Sequence, residues 1–233
     1  MHDLAEGVAR FQHDVFPAKA ELFTHLAGTH RPTTLFISCS DARVVPELIT
    51  QSEPGELFVI RTAGNLVPAH APGPDGVAAS IEYAVAVLGV SEIVVCGHSA
   101  CGAMTALAEQ HDLTGLPAVA DWLRHADASR ARATAANGAT GGTGGTCGTD
   151  VAALVRENVR AQLVNLATHP SVARVLAERT LSLHGWVYDI PAGTVEVLDP
   201  AGPPPAMGAT DSTGFTDSTG FTDSLGHPAA LAA

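Results

Sequence analysis

Positive charge is scarce in this chain. Asp and Glu number 24 against 12 Lys and Arg, Lys19 is the one lysine, and the formal net charge is -12. So acidic a balance excludes binding nucleic acid through a general basic surface. It leaves room for a local positive pocket around a small anion. Long apolar runs are missing too. The longest stretch, 77–90, is interrupted by Ser80, Glu82 and Tyr83 and is too short to span a bilayer, so no membrane partner is expected. Residues 1–6 lack a basic region followed by an apolar one, so no secretory leader is expected either. Cysteine is limited to Cys39, Cys96, Cys101 and Cys147. In a chain of this length without a leader these predict free thiols in a reducing cytoplasm rather than disulfides. What is present is bulk: 233 residues, 46% of them hydrophobic, suit one large α/β domain with a sizeable core.

Two stretches share a design. Ile93-Val94-Val95-Cys96 is a short apolar run that reads as a buried strand, broken at Gly97. A helix is expected from Ala103, which puts His98 and Cys101 on the turn between them, near enough for one metal ion. Thr34-Leu35-Phe36-Ile37-Ser38 reads as a second buried strand and runs into Cys39-Ser40-Asp41-Ala42-Arg43. The helix expected over 44–49 must hold Pro46 in its first turn. Each strand thus delivers a soft ligand at its carboxyl end, where open α/β sheets place their sites. Cys39, His98 and Cys101 make three ligands for zinc, which prefers four, and leave one position for water or an anion.

The rest of the chain alternates in the same way. Leu4, Val8, Phe11 and Val15 recur at helical spacing, Pro17 is expected to interrupt them, and a second helical piece carries Leu22, Phe23 and Leu26. A strand is expected over 57–60 and a Pro/Gly loop over 68–76. A helix over 77–88 should present Ala78, Ile81, Val85 and Leu88 on one side. Strand, helix, strand is the crossover of a parallel sheet. Residues 117–135 read as helix with Trp122 and Leu123 inside. Residues 137–150 read as a flexible Gly/Thr linker in which Cys147 is incidental. Asp150 is placed to cap a long helix whose buried face is Val151, Leu154, Val155, Val159 and Leu163. Strands over 180–188 and 194–198 should pair through Pro191-Ala192-Gly193. The tail repeats Thr-Asp-Ser-Thr-Gly-Phe from 210 and again from 216, too few copies for a solenoid, so disorder is expected. The fold class is therefore α/β: a mostly parallel central sheet of four to five strands flanked by helices. The domains read as an N-terminal helical arm (1–30), a zinc-binding α/β domain (31–200) and a low-complexity tail (201–233).

Cys-Ser-Asp-Ala-Arg at 39–43 followed by Gly-His-Ser-Ala-Cys-Gly at 97–102 resembles the β-class carbonic anhydrases, whose signature is Cys-x-Asp-x-Arg and His-x-x-Cys. The stretches 53–65, 80–85 and 184–189 are also family-like, and the likeness runs from about 11 to 198. It is closest to the plant-like branch and to bacterial members associated with cyanate metabolism. The resemblance implies a zinc lyase that hydrates carbon dioxide reversibly, a zinc-borne hydroxide attacking the carbon. It implies that Asp41, held by Arg43, accepts a hydrogen bond from that hydroxide and orients it. In some members this Asp binds the zinc instead. It further implies a homodimer or tetramer with the N-terminal arm laid across a partner subunit. By match to family positions, Phe58, Ala63 and Tyr83 line an apolar substrate pocket across a dimer interface. The Gly102 N–H, opening a helix, is placed to hold an oxygen of bicarbonate.

Two positions depart from the family pattern. Ala42 replaces the usual Ser, which removes only a hydroxyl. His30 stands where the plant-like branch has a Gln whose amide contacts substrate. A histidine there can donate, or shuttle protons near neutral pH. Three other readings compete. A carbon disulfide or carbonyl sulfide hydrolase would use the same zinc set. A zinc-stapled binding protein would need a fourth ligand, for which Cys96 should point the wrong way. A thiol oxidoreductase would need a Cys-x-x-Cys that the chain lacks.

Overall fold

The structure is a computed structural model that describes residues 3–139 and 149–198. Cys147 and the tail from 201 lie outside the described residues. Two units are compact in themselves, a helical arm up to Thr29 and a larger body from His30. In the arm, α1 (Leu4–Arg10) is capped by Asp3, whose carboxylate accepts from Ala5 N–H. Pro17 does not break the helix as expected. It sits in the first turn of α2 (Phe16–Leu26), and the chain widens to a π-turn over Phe11–Val15 just before it. The wider turn relieves the missing N–H and the clash of the proline ring with the preceding turn. Phe16 stacks on Phe23, and Phe11 meets both edge-on. Leu4, Val8, Phe11, Val15 and Phe16 are all exposed.

The body is built on five strands: β1 (Thr34–Cys39), β2 (Leu57–Thr62), β3 (Glu92–His98), β4 (Ser182–Asp189) and β5 (Thr194–Leu198). Their order in the sheet is β2-β1-β3-β4-β5. The first four are parallel, and β5 returns antiparallel on β4, as the turn at 191–193 predicts. A parallel sheet is buried on both faces, which is why β1 and β3 are continuous apolar runs. Period-two alternation divides their side chains. Leu35, Ile37, Cys39, Ile93 and Val95 join the main core, while Phe36, Val94 and Cys96 form a second cluster with Trp186 and Tyr188.

The connections are helical. α3 (Pro46–Thr50) carries Pro46 in its first turn, as the sequence requires. α4 (Gly76–Glu82) runs on through a π-turn at Tyr83–Val87, which brings Ala84 into the buried face beside Ile81 and Val85. After β3 come α5 (Gly102–Ala108), α6 (Pro117–Leu123) and α7 (Asp127–Ala139), the last two joined by one 3₁₀ turn. α7 extends to Ala139, so the linker expected from 137 is helical at its start; 140–148 lie outside the described residues. Leu123 is buried and Trp122 half-buried. α8 (Val151–Leu166) is capped by Asp150, whose carboxylate accepts from the N–H groups of Ala152 and Ala153. α9 (Pro170–Ala177) leads into β4.

β1 leads to β2 on one side, whereas β3, its neighbour on the other side, leads away to β4. The carboxyl ends of β1 and β3 therefore diverge, which opens a crevice between them. α8 covers this region closely. A Cβ on Gly97 would lie 2.8 Å from Val159 Cγ2, and one on Gly185 would lie 3.0 Å from Val159 Cγ1. Glycine at both positions lets the helix approach the sheet directly behind the crevice. No helix among the described residues is long and apolar enough to cross a membrane.

Candidate metal centre

Three side chains converge at that crevice. Cys39 is the last residue of β1, His98 the last of β3, and Cys101 the N-cap of α5. β3 thus runs through the break expected at Gly97 to the residue beyond it, so His98 is held by strand pairing, opposite Tyr188 of β4. The ligand atoms of all three lie within 4.8 Å of one another, and all three residues are buried. The turn between His98 and Cys101 is tied down. Ser99 N–H donates to Tyr188 O at 2.9 Å, and Ser99 Oγ accepts from Ile190 N–H. Ala100 takes a left-handed φ of 51° to close it.

The donor chemistry fits a zinc ion. His98 Nδ1 lies 2.9 Å from Ser99 O. A carbonyl only accepts, so Nδ1 carries the proton and Nε2 presents a lone pair. That Nε2 is buried without a hydrogen-bond partner among the described residues, which is costly unless something else satisfies it. The neighbouring Cys101 thiol holds the Cys39 thiol below the ordinary thiol range against the opposing effect of burial, with help from His98 and from the N–H groups of Asp41 and Gly64. The neighbouring Cys39 sulfur and burial push Cys101 up. A dication beside the two sulfurs would favour both as thiolates. Cys96 is different. Burial pushes its thiol up to about 12, and it lies in the cluster on the sheet's other face. It is no fourth ligand.

Asp41 and Arg43 flank the three. Arg43 Nε donates to Asp41 Oδ1 at 2.9 Å and Nη2 to Oδ2 at 2.6 Å, while the Arg43 N–H also reaches Oδ1 at 3.0 Å. Nη2 is anchored in turn on Ala100 O, at 3.0 Å, so the pair is tied to the His98–Cys101 turn. These bonds hold the Asp41 carboxyl well below the usual carboxylate range, against burial and with a smaller contribution from His98. Asp41 Oδ2 lies 3.9 Å from His98 Nε2, too far for a direct hydrogen bond.

The expected substrate residues divide. Ala63 and Gly102 flank the crevice: Ala63 precedes Gly64, whose N–H donates to Cys39 Sγ at 3.4 Å, and Gly102 follows Cys101 with open space beside it. Phe58, Tyr83 and His30 gather elsewhere. Phe58 packs 6.0 Å from Tyr83 and 6.3 Å from His30, ring centre to ring centre. Phe58 is in register with Leu35, whereas Cys39 is in register with Thr62. Four residues of parallel strand, about 13 Å, separate the aromatic group from the level of the sulfurs. Within this chain the structure does not bring these three to Cys39, His98 and Cys101.

Residues that sequence reasoning passed over surround the crevice. Arg61 donates to three backbone carbonyls of the Cys39–Val44 loop, those of Cys39, Asp41 and Val44, at 3.0, 2.6 and 2.7 Å. Its signal was a charged residue ending an apolar strand. Trp122 Nε1 donates to Ala63 O at 2.9 Å. Asn158 and Gln162 are wholly buried polar residues on the inner face of α8. They could have been noticed as polar interruptions of an apolar stripe.

The chain has known counterparts. The model of the family described as Carbonic anhydrase matches residues 34–195. A carbonic anhydrase of Pseudomonas aeruginosa is 58% identical over 201 residues, 86% of this chain and 89% of that protein. Among solved structures, the β-carbonic anhydrase CcaA superposes with a TM-score of 0.77 at 43% identity, covering 84% of this chain and 93% of that one. One of two tetrameric β-carbonic anhydrases from Sordaria macrospora superposes with a TM-score of 0.70 at 32% identity, over 84% and 94%.

Proposed function

The chain belongs to the β-class carbonic anhydrases, and from that premise we propose zinc-dependent reversible hydration of carbon dioxide to bicarbonate and a proton. The observation that carries this is the buried trio Cys39, His98 and Cys101, with His98 Nε2 unpartnered beside the Asp41–Arg43 pair. Zinc held there supplies Lewis acidity, giving water enough acidity to furnish a nucleophile near neutral pH. Two thiolates and a neutral imidazole cancel the ion's charge, so its surroundings must supply the remaining polarisation.

The protein's own groups take the remaining roles. Asp41 is ionised and can only accept, and Arg43 fixes both its oxygens. A hydroxyl lodged between Asp41 and His98 must turn its hydrogen to the carboxylate, and its lone pair then faces outward to carbon dioxide. Arg61 holds the Asp41 backbone in place, so the carboxylate does not drift when charge develops. The Gly102 N–H and the small side chain of Ala63 border the space for product. Phe58, Tyr83 and His30 can line a pocket only against the site of another subunit. Their placement supports a homodimer or tetramer, in keeping with the tetrameric relatives from Sordaria macrospora. Cys39, Cys96 and Cys101, none of them in a disulfide, suit a reducing compartment such as the cytoplasm.

Metal analysis of the purified full chain with stopped-flow carbon dioxide hydration tests this reading. About one zinc per chain and hydration abolished by a chelator are expected. Zinc-free protein, or zinc-loaded protein without turnover, would overturn it. The closed, non-catalytic staple is disfavoured because Cys96 faces the wrong side of the sheet.

A further inference from the structure

We infer that Asn158 of α8 is a positioning residue for the Cys39 sulfur, acting through the backbone of Gly64. The inference rests on the zinc reading of Cys39.

The inner face of α8 is otherwise apolar: Leu154, Val155, Val159, Leu163 and Leu166 all lie in the core. Into this stripe are set two primary amides one turn apart, Asn158 and Gln162, both fully buried. Buried amides are unfavourable unless bonded, and a leucine would fill the same place at lower cost. Both are aimed at one short segment. Asn158 Nδ2 donates to Gly64 O at 2.9 Å, and Gln162 Oε1 accepts from Val67 N–H at 2.9 Å. The amides also hold each other: Gln162 Nε2 donates to Asn158 Oδ1 at 2.9 Å, and Ser129 Oγ donates to the same oxygen at 3.2 Å. Asn158 is thereby fixed in orientation, its amide nitrogen turned to Gly64.

The segment needs holding. Gly64 and Asn65 are consecutive residues with left-handed backbones, φ 72° and 48°. Such a pair persists only where its surroundings over-determine it. The reason for adopting it lies at the other end of the glycine: in this conformation Gly64 N–H points at Cys39 Sγ, 3.4 Å away. Gly64 is therefore gripped at its carbonyl by α8 and presents its N–H to a zinc ligand. A hydrogen bond to a thiolate withdraws charge from the sulfur and fixes its direction, which tunes the metal bond. Ala63, Leu66 and Val67 are pinned by Trp122, Thr62 and Asn165, and Asn158 is the side chain that holds the carbonyl of the glycine itself.

The test uses the full chain with cobalt in place of zinc, whose thiolate-to-metal charge-transfer band reports on the sulfurs, together with zinc affinity by chelator competition. In Asn158→Leu the band is expected to move to lower energy, and zinc affinity to fall about 10-fold or more. Asn158→Ser, whose hydroxyl is too short to span to Gly64, should do the same and serves should the leucine variant not fold. Leu166→Ala removes core packing from the same helix without removing a hydrogen bond. It should lower the melting temperature and leave the band in place. An unmoved band in folded Asn158 variants overturns the inference and leaves the zinc reading standing. Equal band shifts in Leu166→Ala overturn it too, because general loosening would then suffice. A wild-type chain that takes up no cobalt overturns the zinc reading and this inference together.

Discussion

A carboxylate beside a candidate cation site can be a ligand, a spectator or an orienting acceptor, and at the scale of the residue the proposed role of Asp41 is the third. Arg43 occupies both its oxygens, and the carboxyl stays ionised far below neutral pH, so no proton is available for it to give. Asp41→Asn should keep its zinc, because Cys39, His98 and Cys101 are untouched. It loses the charge and the forked pair with Arg43, and carbon dioxide hydration should fall on the order of 100-fold. Stopped-flow turnover beside metal content decides this; a loaded variant with full turnover rejects the orienting role. The Cys-x-Asp-x-Arg spacing made Asp41 and Arg43 readable in sequence, since two residues on a turn suffice to form the fork. Arg61 was not readable. Its three carbonyl partners lie 17 to 22 positions away along the chain, and only the parallel pairing of β1 with β2 brings them within reach.

At the scale of the element, the packing of α8 on β3 and β4 governs how firmly His98 is held. Gly97 precedes His98, and its missing side chain admits Val159. Gly97→Ala should destabilise the fold by about 1–3 kcal/mol through overpacking. That corresponds to a fall in melting temperature of several degrees for a chain of this size. Val159→Ala alone should destabilise by leaving a cavity, yet in the double variant the two losses should be well below additive, because the second change removes what the first collides with. Denaturant titrations of the four proteins read this coupling directly; simple additivity would mean that the helix does not bear on Gly97. Element boundaries shifted where local rules left a choice. The strand extended through Gly97 because β4 supplies a partner as far as Tyr188, and the arm helix absorbed Pro17 by widening one turn.

At the scale of the whole molecule, the loop that follows the Gly64 segment is fastened to the corner between α8 and α9. His169, only 2% exposed, bonds through Nε2 to Pro68 O at 3.0 Å, and His70 N–H donates to Thr168 Oγ1 at 2.8 Å. Burial lowers the His169 pKa below its ordinary value of 6.5; the Pro68 carbonyl opposes the shift, His70 adds to it and Asp75 opposes it. The unfolded chain therefore takes up this proton at a higher pH than the folded one. The contribution to stability is complete above pH 6.5 and is lost as the pH falls through the lower folded value. His169→Gln keeps an N–H for Pro68 O but cannot become charged. Its unfolding free energy should lack the decline the wild type shows below about pH 6.5. Denaturant unfolding across pH 5 to 7 compares the two, and parallel curves would exclude His169 as the source.

Composition and short-range pattern were enough to determine an acidic α/β chain, the apolar strands, the capping of α8 by Asp150, and the candidate trio Cys39, His98 and Cys101 with the Asp41–Arg43 pair beside it. Each of these depends on residues near one another in the chain, or on ligand types that only a few metals accept. The tertiary structure alone decided that β1 and β3 are neighbours whose ends diverge, that Phe58, Tyr83 and His30 gather away from the sulfurs, and that α8 sends an amide to the glycine behind Cys39. Strand order and helix approach are settled by which apolar faces can be buried together. That is a property of the closed core, and no local spacing encodes it.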